Sequence, residues 1–365
     1  MTKLDELLSY LEKNLDPNHI DNTIELQKKC LNYDTVDHLT VKVGYPIQGF
    51  EAFPVSETHV SPEKMMYNEL LSCVGGAQIK DNSLPMIRAN YGVGTLPSFF
   101  GLKCAIINNN MPWVEHAKNE DEIQKIIEKG IPDLNSGFGG KISETHEFYR
   151  EKLSKYPICN EYIRIYHPDL QGPFDVAHLI WGSDIYLAMY DTPELIHSLL
   201  ELITKTYVKL MKHVKNEIND EIDNYNFHWG QLYKGKITLR NDSAINLSKD
   251  MYMEFVQKYD EQILNEFGTG SMHYCGRADH LVFDMAQTKG VVGMNYGYMS
   301  NVEFGEAFLD QVYDKFTDLR RPIISYHLTE EEYNSFNRQR FSTGITVQTW
   351  MNSKEDAIKF VQKHL

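Results

Sequence analysis

From residue 85 onward, the sequence alternates short apolar runs with longer amphipathic patterns, and this alternation constrains the fold more than any other feature. The apolar runs that predict strands are residues 85–91, 162–167, 225–229 or 237–241, 271–275, 291–295, 322–327 and 345–350, with a hairpin arm or further strand at 104–108. The patterns that predict helices are residues 119–129, 142–155, 174–190, 192–218, 248–266, 278–288, 301–317, 329–338 and 354–364. Strands alternating with helices form a parallel sheet. Roughly eight such units fit a (β/α)8 TIM barrel better than an open sheet, so the predicted fold class is α/β with that barrel.

The chain has 365 residues, whereas a barrel of this kind needs about 250. The first 80 residues are polar and helical in pattern, with apolar residues at helical spacing between Leu4 and Leu11 behind Thr2 as an N-cap. No linker composition or repeat divides the sequence. We therefore predict one domain over residues 1–365, with a helical N-terminal extension over residues 1–80 and the barrel over residues 85–365.

Charge and cysteine content exclude several classes of function. The chain has 36 Lys and Arg against 51 Asp and Glu, and a net charge of −15 disfavours nucleic acid and anionic membranes as partners. No apolar run approaches the roughly 20 residues of a membrane span. The first residues form an acidic amphipathic pattern rather than a basic leader, and the five Cys include no CxxC pair. We expect a cytoplasmic globular protein, because this Cys usage is typical of a reducing compartment.

Polar side chains follow the predicted strands, at the end of a barrel where active sites lie. They are Asn90, His167, Asp169, Gln171, His228, Arg240, Asp242, His273, Cys275, Asn295 and His327. A single strand-end His or Asp often caps the next helix or is solvated. Histidines at four separate strand ends are harder to explain in that way. We therefore predict that one cavity is faced by Asn90, Asp169, His228, Asp242, His273, Cys275 and His327.

The segment SMHYC has the most specific pattern in the chain. Successive side chains of a strand point to opposite faces, so His273 and Cys275 lie on one face and Tyr274 lies on the other. Imidazole and thiolate are both zinc ligands, and a catalytic zinc takes three protein ligands with one open position. The pattern predicts a zinc site, and a reduced Cys beside a hydrogen-bonded His is the alternative without metal.

Four segments carry a resemblance to a known superfamily. They read NYGVGTLPSFFG, PDLQGPFDVAHLIWGSDIYLAMYDTPELIHSLLELIT, ITLRNDSAINLSKDMYMEFVQKYDEQILNEFG and SMHYCGRADH. Over roughly residues 60–365 the chain resembles the uroporphyrinogen decarboxylase superfamily, most closely its zinc- and corrinoid-dependent methyltransferase branch, which includes methylcobamide:coenzyme M methyltransferases. The resemblance implies a (β/α)8 barrel that binds zinc and acts with a corrinoid (methylcobamide) carried by a partner corrinoid protein.

The sequence departs from both branches of that superfamily. Uroporphyrinogen decarboxylases carry an Arg-rich N-terminal segment and an Asp before Pro-x-x-x-Gly, whereas this chain has no Arg before residue 88 and has Gly92 at the Asp position. Decarboxylation of uroporphyrinogen is therefore not expected. The methyltransferase branch binds zinc through His-x-Cys, matched by His273 and Cys275, and through a later second Cys, which is missing here. His327 is the preferred substitute for that ligand, and His228 is the second choice.

The resemblance implies an enzyme, a zinc-assisted methyltransferase that moves a methyl group to or from a corrinoid (cobalamin) cofactor or corrinoid protein, with a small-molecule donor or acceptor. The predicted site has catalytic Asp242, His228 and Asn90, substrate-binding Asp169, Gln171, Arg240 and Asn295, and metal-binding His273, Cys275 and His327. One alternative is a cofactor-independent decarboxylase or lyase of the uroporphyrinogen decarboxylase type, which acts on a small carboxylate substrate bound by Arg88, Arg164, Arg240 and Arg277. Another is a corrinoid- or tetrapyrrole-binding protein without catalysis. A homodimer is compatible with each of these functions.

Overall fold

The computed structural model describes residues 2–297 and 305–365, which form a mixed α/β fold. The strands are β1 Val41–Gly44, β2 Met86–Arg88, β3 Cys104–Ala105, β4 Trp113–Val114, β5 Arg164–Tyr166, β6 Glu221–Ile222, β7 Tyr225–His228, β8 Gln231–Lys234, β9 Ile237–Arg240, β10 Gly270–Cys275, β11 Val291–Gly297, β12 Ile323–His327 and β13 Ile345–Trp350. The helices are α1 Lys3–Asn14, α2 Pro17–Leu31, α3 Val55–Thr58, α4 Pro62–Ile79, α5 Thr95–Phe99, α6 Glu120–Lys129, α7 Gly139–Leu153, α8 Pro157–Tyr162, α9 Pro173–Trp181, α10 Ile185–Asp191, α11 Pro193–Lys215, α12 Lys249–Tyr252, α13 Lys258–Phe267, α14 Val282–Gln287, α15 Gly305–Asp318, α16 Glu330–Ser335 and α17 Lys354–His364. A π-helical stretch, Met253–Gln257, joins α12 to α13.

The main sheet has six parallel strands in the order β1-β13-β12-β11-β10-β9, and β2 and β5 form a second parallel pair. The predicted parallel α/β architecture is therefore confirmed. A closed barrel is not formed by strand ladders among the described residues, because the two sheets share no ladder.

Hydrogen bonds outside the strand ladders occur at the two edges of the main sheet, β1 and β9, where a closed barrel would have further strand pairing. At the free edge of β1, Asn82 hydrogen-bonds both backbone groups of Val41, each at 3.0 Å. On the other side, the Gly172 amide after β5 donates to the Arg240 carbonyl at the end of β9, at 2.7 Å. The antiparallel strands β7 and β8 pair with each other and not with β5 or β9. A side chain and a loop thus satisfy backbone groups that neighbouring strands would otherwise pair.

Every predicted strand is present, and both candidates at 225–229 and 237–241 form strands, as β7 and β9. The 104–108 segment contributes the hairpin arm β3, which pairs with β4. The first part of the predicted helix 301–317 lies outside the described residues, and the remainder is α15. The N-terminal 80 residues differ from the prediction in one respect: they contain β1, which adds to the sheet beside β13. Four residues are too few for a strand periodicity to stand out in the sequence.

The N-terminal helices belong to the same apolar core as the sheet. Thr2 caps α1 in a capping box with Asp5, as its position predicts, and Ser61 caps α4 with Pro62 at the first helical position. The buried Leu face of α1 joins the contiguous cluster of buried side chains that runs through the strands to Phe360. Among the described helices, none combines the length and the apolarity that crossing a membrane would require.

Asp260 on α13 is a buried carboxyl held next to the end of β9. Asn241 Nδ2 donates to Asp260 Oδ2 at 2.6 Å, and Asn241 Oδ1 has no hydrogen-bond partner among the described residues. Burial raises the pKa of the Asp260 carboxyl to about 7. The folded protein therefore holds this proton more tightly than the unfolded chain, in which the pKa is about 3.9.

We expect Asp260→Asn to stabilise the protein in a pH-dependent way. Wild-type stability should fall as pH rises from about 4 to about 7, because the buried carboxyl must ionise, whereas the amide carries no charge. The gain in free energy of unfolding should be on the order of 2–4 kcal/mol at pH 8 and should shrink toward pH 4.5. Urea unfolding at both pH values measures it, with the exposed Asp121→Asn as control. An equal gain at both pH values would contradict this assignment.

Candidate functional site

A cavity of about 460 Å³ opens where strands of both sheets meet helix α4. Its wall is formed by Lys42, Asn68, Glu69, Ser72, Ser83, Leu84, Met86, Arg88, Tyr166, Trp229, Gly230, Tyr233, His273, Cys275, Asn295, Gly297, Ser325 and Gln348. Three of the predicted site residues, His273, Cys275 and Asn295, are among them. The cavity is large enough for a small organic molecule.

A chain of two hydrogen bonds fixes the orientation of the His273 ring. His273 Nδ1 lies 2.5 Å from Asn295 Oδ1, and Asn295 Nδ2 donates to the Ile324 carbonyl at 2.6 Å. Because Asn295 presents its oxygen, Nδ1 carries the proton and Nε2 keeps a free lone pair. Burial lowers the pKa of His273, which also favours the neutral ring. Neutral imidazole with its second nitrogen held by an amide is the form that binds metals.

Nε2 of His273 faces a sulfur and a carboxylate oxygen. Cys275 Sγ lies 3.3 Å and Asp242 Oδ1 3.4 Å from it, and the donor atoms of all three residues lie within 4.8 Å of one another. Nitrogen, sulfur and oxygen donors at this spacing suit a zinc ion. Burial and the Asp242 carboxylate raise the pKa of the Cys275 thiol to about 12, so the thiol keeps its proton unless a cation favours the thiolate.

The position of Asp242 is set by backbone hydrogen bonds. Its Oδ1 accepts from the Cys275 amide at 2.7 Å. Its own amide and that of Ser243 donate to the two oxygens of Asp175, at 2.6 and 2.7 Å. Asp175 lies in the first turn of α9, and burial together with the charge of Asp242 raises its pKa well above the ordinary value. These contacts hold the loop after β9 against β10.

The third member of the group is Asp242, which was predicted as a catalytic residue, and not His327. His327 ends β12, opposite Gln348 of β13, and does not belong to the group. His228, the second choice, is fully buried behind the cavity wall. The strand order explains this grouping, because β9, which Asp242 follows, lies directly beside β10, whereas β11 separates β12 from β10.

Five of the other strand-end residues form a buried network behind the cavity wall. Arg240 forms an ion pair with Asp169, and its Nη2 lies 3.0 Å from His228 Nε2. Gln171 donates to Asp169 at 2.7 Å, and the His228 ring stacks on His167 at 4.8 Å. Burial lowers the pKa of Arg240 to about 9. None of the five lines the cavity.

Trp229 connects that network to the candidate metal ligands. The Arg240 guanidinium lies 4.7 Å from the centre of the Trp229 ring, and the His273 ring meets the indole edge-on at 4.7 Å. Trp229 has φ of 44°, a left-handed conformation that strains a residue with a bulky side chain. No pattern in the sequence marks Trp229 as a functional residue.

Asn90 lies outside the cavity wall and supports a residue within it. Its Nδ2 donates to Glu69 Oε1 at 2.8 Å, and Glu69 Oε2 accepts from the Arg88 amide at 3.3 Å. Glu69 and Lys42 also line the cavity and are not among the residues that the sequence predicted. In the sequence, Lys42 stands between Val41 and Val43. This pattern predicts only that the Lys side chain lies on the face of a strand that points away from the core.

No family model matches the chain, and no curated protein matches it. Among solved structures, a methyltransferase from Methanosarcina mazei aligns with 93% of this chain and 98% of its own, with a TM-score of 0.65 and 14% sequence identity. Mannanase BCman and the YdhT protein, both from Bacillus subtilis, align over 95% and 97% of this chain and 90% and 91% of theirs, at 11% identity with TM-scores of 0.39. The first similarity shows a shared fold. The TM-scores of 0.39 are too low to show one.

We expect Asn295→Leu to weaken zinc binding by about 10- to 100-fold, because the ring of His273 loses the acceptor that fixes its orientation. Competition against a chromogenic zinc chelator measures the affinity. Asn216→Leu, on the exposed end of α11, is the matched control and should bind zinc as the wild type does. Unchanged affinity in Asn295→Leu would show that His273 Nε2 does not contribute to a zinc site.

Proposed function

We propose that this protein is a methyltransferase that holds a zinc ion through Asp242, His273 and Cys275 and exchanges a methyl group with the corrinoid of a partner protein. The observation that carries the proposal is the convergence of these three donor atoms within 4.8 Å at the edge of a cavity. The fold shared with a methyltransferase and the resemblance of the sequence to the corrinoid-dependent branch both support it.

The zinc would act as a Lewis acid toward the heteroatom that carries or receives the methyl group. The protein's own groups position that chemistry. Asn295 keeps the lone pair of His273 directed at Asp242 and Cys275, and Asp175 holds Asp242 in place. A carboxylate in place of a second thiolate makes the site harder, which favours oxygen or nitrogen in the small molecule over a soft thiol.

Methyl transfer depends more on close alignment of the donor and the acceptor than on acid–base catalysis by the protein. A corrinoid carried by the partner protein would supply the nucleophile that takes the methyl group in one direction and the methyl donor in the other. Trp229, Tyr166 and Tyr233 line the cavity and would shield the small molecule from water, and the corrinoid would approach from outside the cavity.

We also propose that the fold is a barrel interrupted at two places. Eight parallel strands, β2, β5, β9 to β13 and β1, would form a single (β/α)8 barrel domain with breaks between β1 and β2 and between β5 and β9. The contacts of Asn82 with Val41 and of Gly172 with Arg240 support it, since they join the segment before β2 to β1 and the segment after β5 to β9. A cytoplasmic location remains part of the proposal.

Metal analysis of protein purified without a His-tag, combined with methyl transfer to free cob(I)alamin from methanol, methylamine and methoxyacetate, tests the function. We expect about one zinc per chain. His273→Ala and Asp242→Ala should each lose most of the zinc and at least about 100-fold of the transfer rate. His327→Ala, the matched control, should keep both.

Three outcomes would contradict the proposal in whole or in part. Less than about 0.1 zinc per chain after zinc-supplemented expression, with transfer intact, would remove the metal. Zinc retained in Asp242→Ala but lost in His327→Ala would reverse the choice of third ligand. Release of CO₂ from a small carboxylate by metal-free protein, without any methyl transfer, would favour the decarboxylase or lyase alternative.

A further inference from the structure

Lys42 is a cavity-lining residue to which the proposed function gives no role. It lies on β1 between the buried Val41 and Val43, and its side chain forms part of the wall of the cavity that also contains His273. An amine in such a position can act as a charge, a base or a nucleophile. Its protonation and its partners decide which of these roles it fits.

The charged form of Lys42 is poorly stabilised by its surroundings. Nζ donates to the Trp229 carbonyl at 2.8 Å, a neutral acceptor, and forms no ion pair with a described carboxylate. Burial lowers the pKa of Lys42, and the Asp81 carboxylate, which acts in the opposite direction, has the smaller effect. Lys42 therefore differs from a surface lysine such as Lys28, whose Nζ lies 3.0 Å from Glu25 and 2.7 Å from Asp223.

Asp81 is occupied by other donors. Its Oδ2 accepts from the Val43 amide at 2.6 Å, and its Oδ1 accepts from the Ser83 hydroxyl at 2.6 Å. Burial also raises the pKa of the Asp81 carboxyl, which reduces the negative charge available to hold an ammonium. A larger share of Lys42 than of an ordinary exposed lysine is therefore the neutral amine, with a lone pair on Nζ.

The cavity positions this amine and suits a reaction that releases water. The stem of Lys42 packs against Gly230, where an added methyl group would lie 3.4 Å from Cδ. The hydrogen bond to the Trp229 carbonyl then fixes Nζ at the end of that stem. Trp229, Tyr166 and Tyr233 line the same cavity and would shield a bound molecule from water. A neutral amine held in this way can act as a nucleophile toward a carbonyl carbon.

Glu69 is the one carboxyl among the described residues of the cavity wall. Asn90 Nδ2 donates to its Oε1 at 2.8 Å and the Arg88 amide donates to its Oε2 at 3.3 Å, so the orientation of the carboxyl is fixed. Burial raises the pKa of Glu69, which brings its proton closer to use at neutral pH. The loss of water from an amine–carbonyl adduct needs a proton donor of this kind.

We propose that the Lys42 amine captures a small aldehyde in the cavity as an imine, with Glu69 as the proton donor. The Nζ lone pair attacks the carbonyl carbon, and a proton moves from nitrogen to oxygen. Glu69 then protonates the hydroxyl, which leaves as water while the nitrogen lone pair forms the C=N bond. Glu69 regains its proton from the iminium nitrogen, so one amine and one aldehyde give one imine and one water. This activity is additional to methyl transfer and uses neither a metal nor a corrinoid.

Reductive trapping with acetaldehyde and sodium cyanoborohydride tests the proposal, because the hydride converts the imine into a stable ethylamine. Peptide mass mapping then gives the rate at which each lysine gains an ethyl group. At pH about 7, we expect Lys42 to react at least about tenfold faster than the exposed Lys205, because a lowered pKa leaves more of its amine neutral. The advantage should shrink toward pH 10, where ordinary exposed lysines also become neutral. Chelator-treated protein should react at the same rate, which separates the imine from binding at a metal.

Two variants identify the groups involved. Lys42→Arg keeps the charge and removes the amine, so the protein should gain one ethyl group fewer in the fast phase, whereas Lys205→Arg should leave the labelling of Lys42 unchanged. Glu69→Gln should slow the labelling of Lys42 by at least about tenfold and leave that of Lys205 as it is.

If Lys42→Arg does not fold, the comparison of Lys42 with Lys205 in the wild type still decides the question. Labelling of Lys42 no faster than that of Lys205 at pH about 7 would overturn the proposal. A full labelling rate in folded Glu69→Gln would show that Glu69 is not the proton donor.

Discussion

The hydrogen bond between His273 and Asn295 ties the register of the sheet to the chemistry of the site. The two residues are direct partners in the parallel pairing of β10 with β11. A slip of one residue would turn one of them to the other face of the sheet. It would leave a ring N–H and a side-chain amide buried without partners, at about 1–3 kcal/mol each. The pair therefore specifies the register, and the same register presents Nε2 to Asp242 and Cys275.

The strand order then decides which other groups can reach His273. Neighbouring strands lie about 4.8 Å apart, so a residue that ends the adjacent strand β9 or follows it is within reach of β10. Asp242 follows β9, whereas His327 ends β12, two strands and about 10 Å away at the backbone. Alternation along a strand correctly paired His273 with Cys275. His327 was predicted as a ligand because it ends a strand, and that pattern contains no information about the distance between strands.

The sequence predicted the strands well because each is an apolar run bounded by polar residues, and a buried parallel strand needs that composition. It could not predict Lys42, since β1 is too short to recognise and its neighbour β13 lies about 300 residues away. Nor could it separate the cavity wall from the layer behind it. Arg240, Asp169, Gln171 and His228 all have the chemistry of substrate-binding groups, but they satisfy one another in the interior.

That buried network acts on the site through Trp229. A left-handed Trp persists only where its surroundings hold it, and here the guanidinium of Arg240 lies against one part of the indole while His273 meets another. The Trp229 carbonyl accepts from Lys42, so one strained residue contacts His273 with its ring and the cavity-lining Lys42 with its backbone. A change in the conformation of Trp229 would therefore displace a proposed metal ligand and the Lys42 side chain of the cavity wall together.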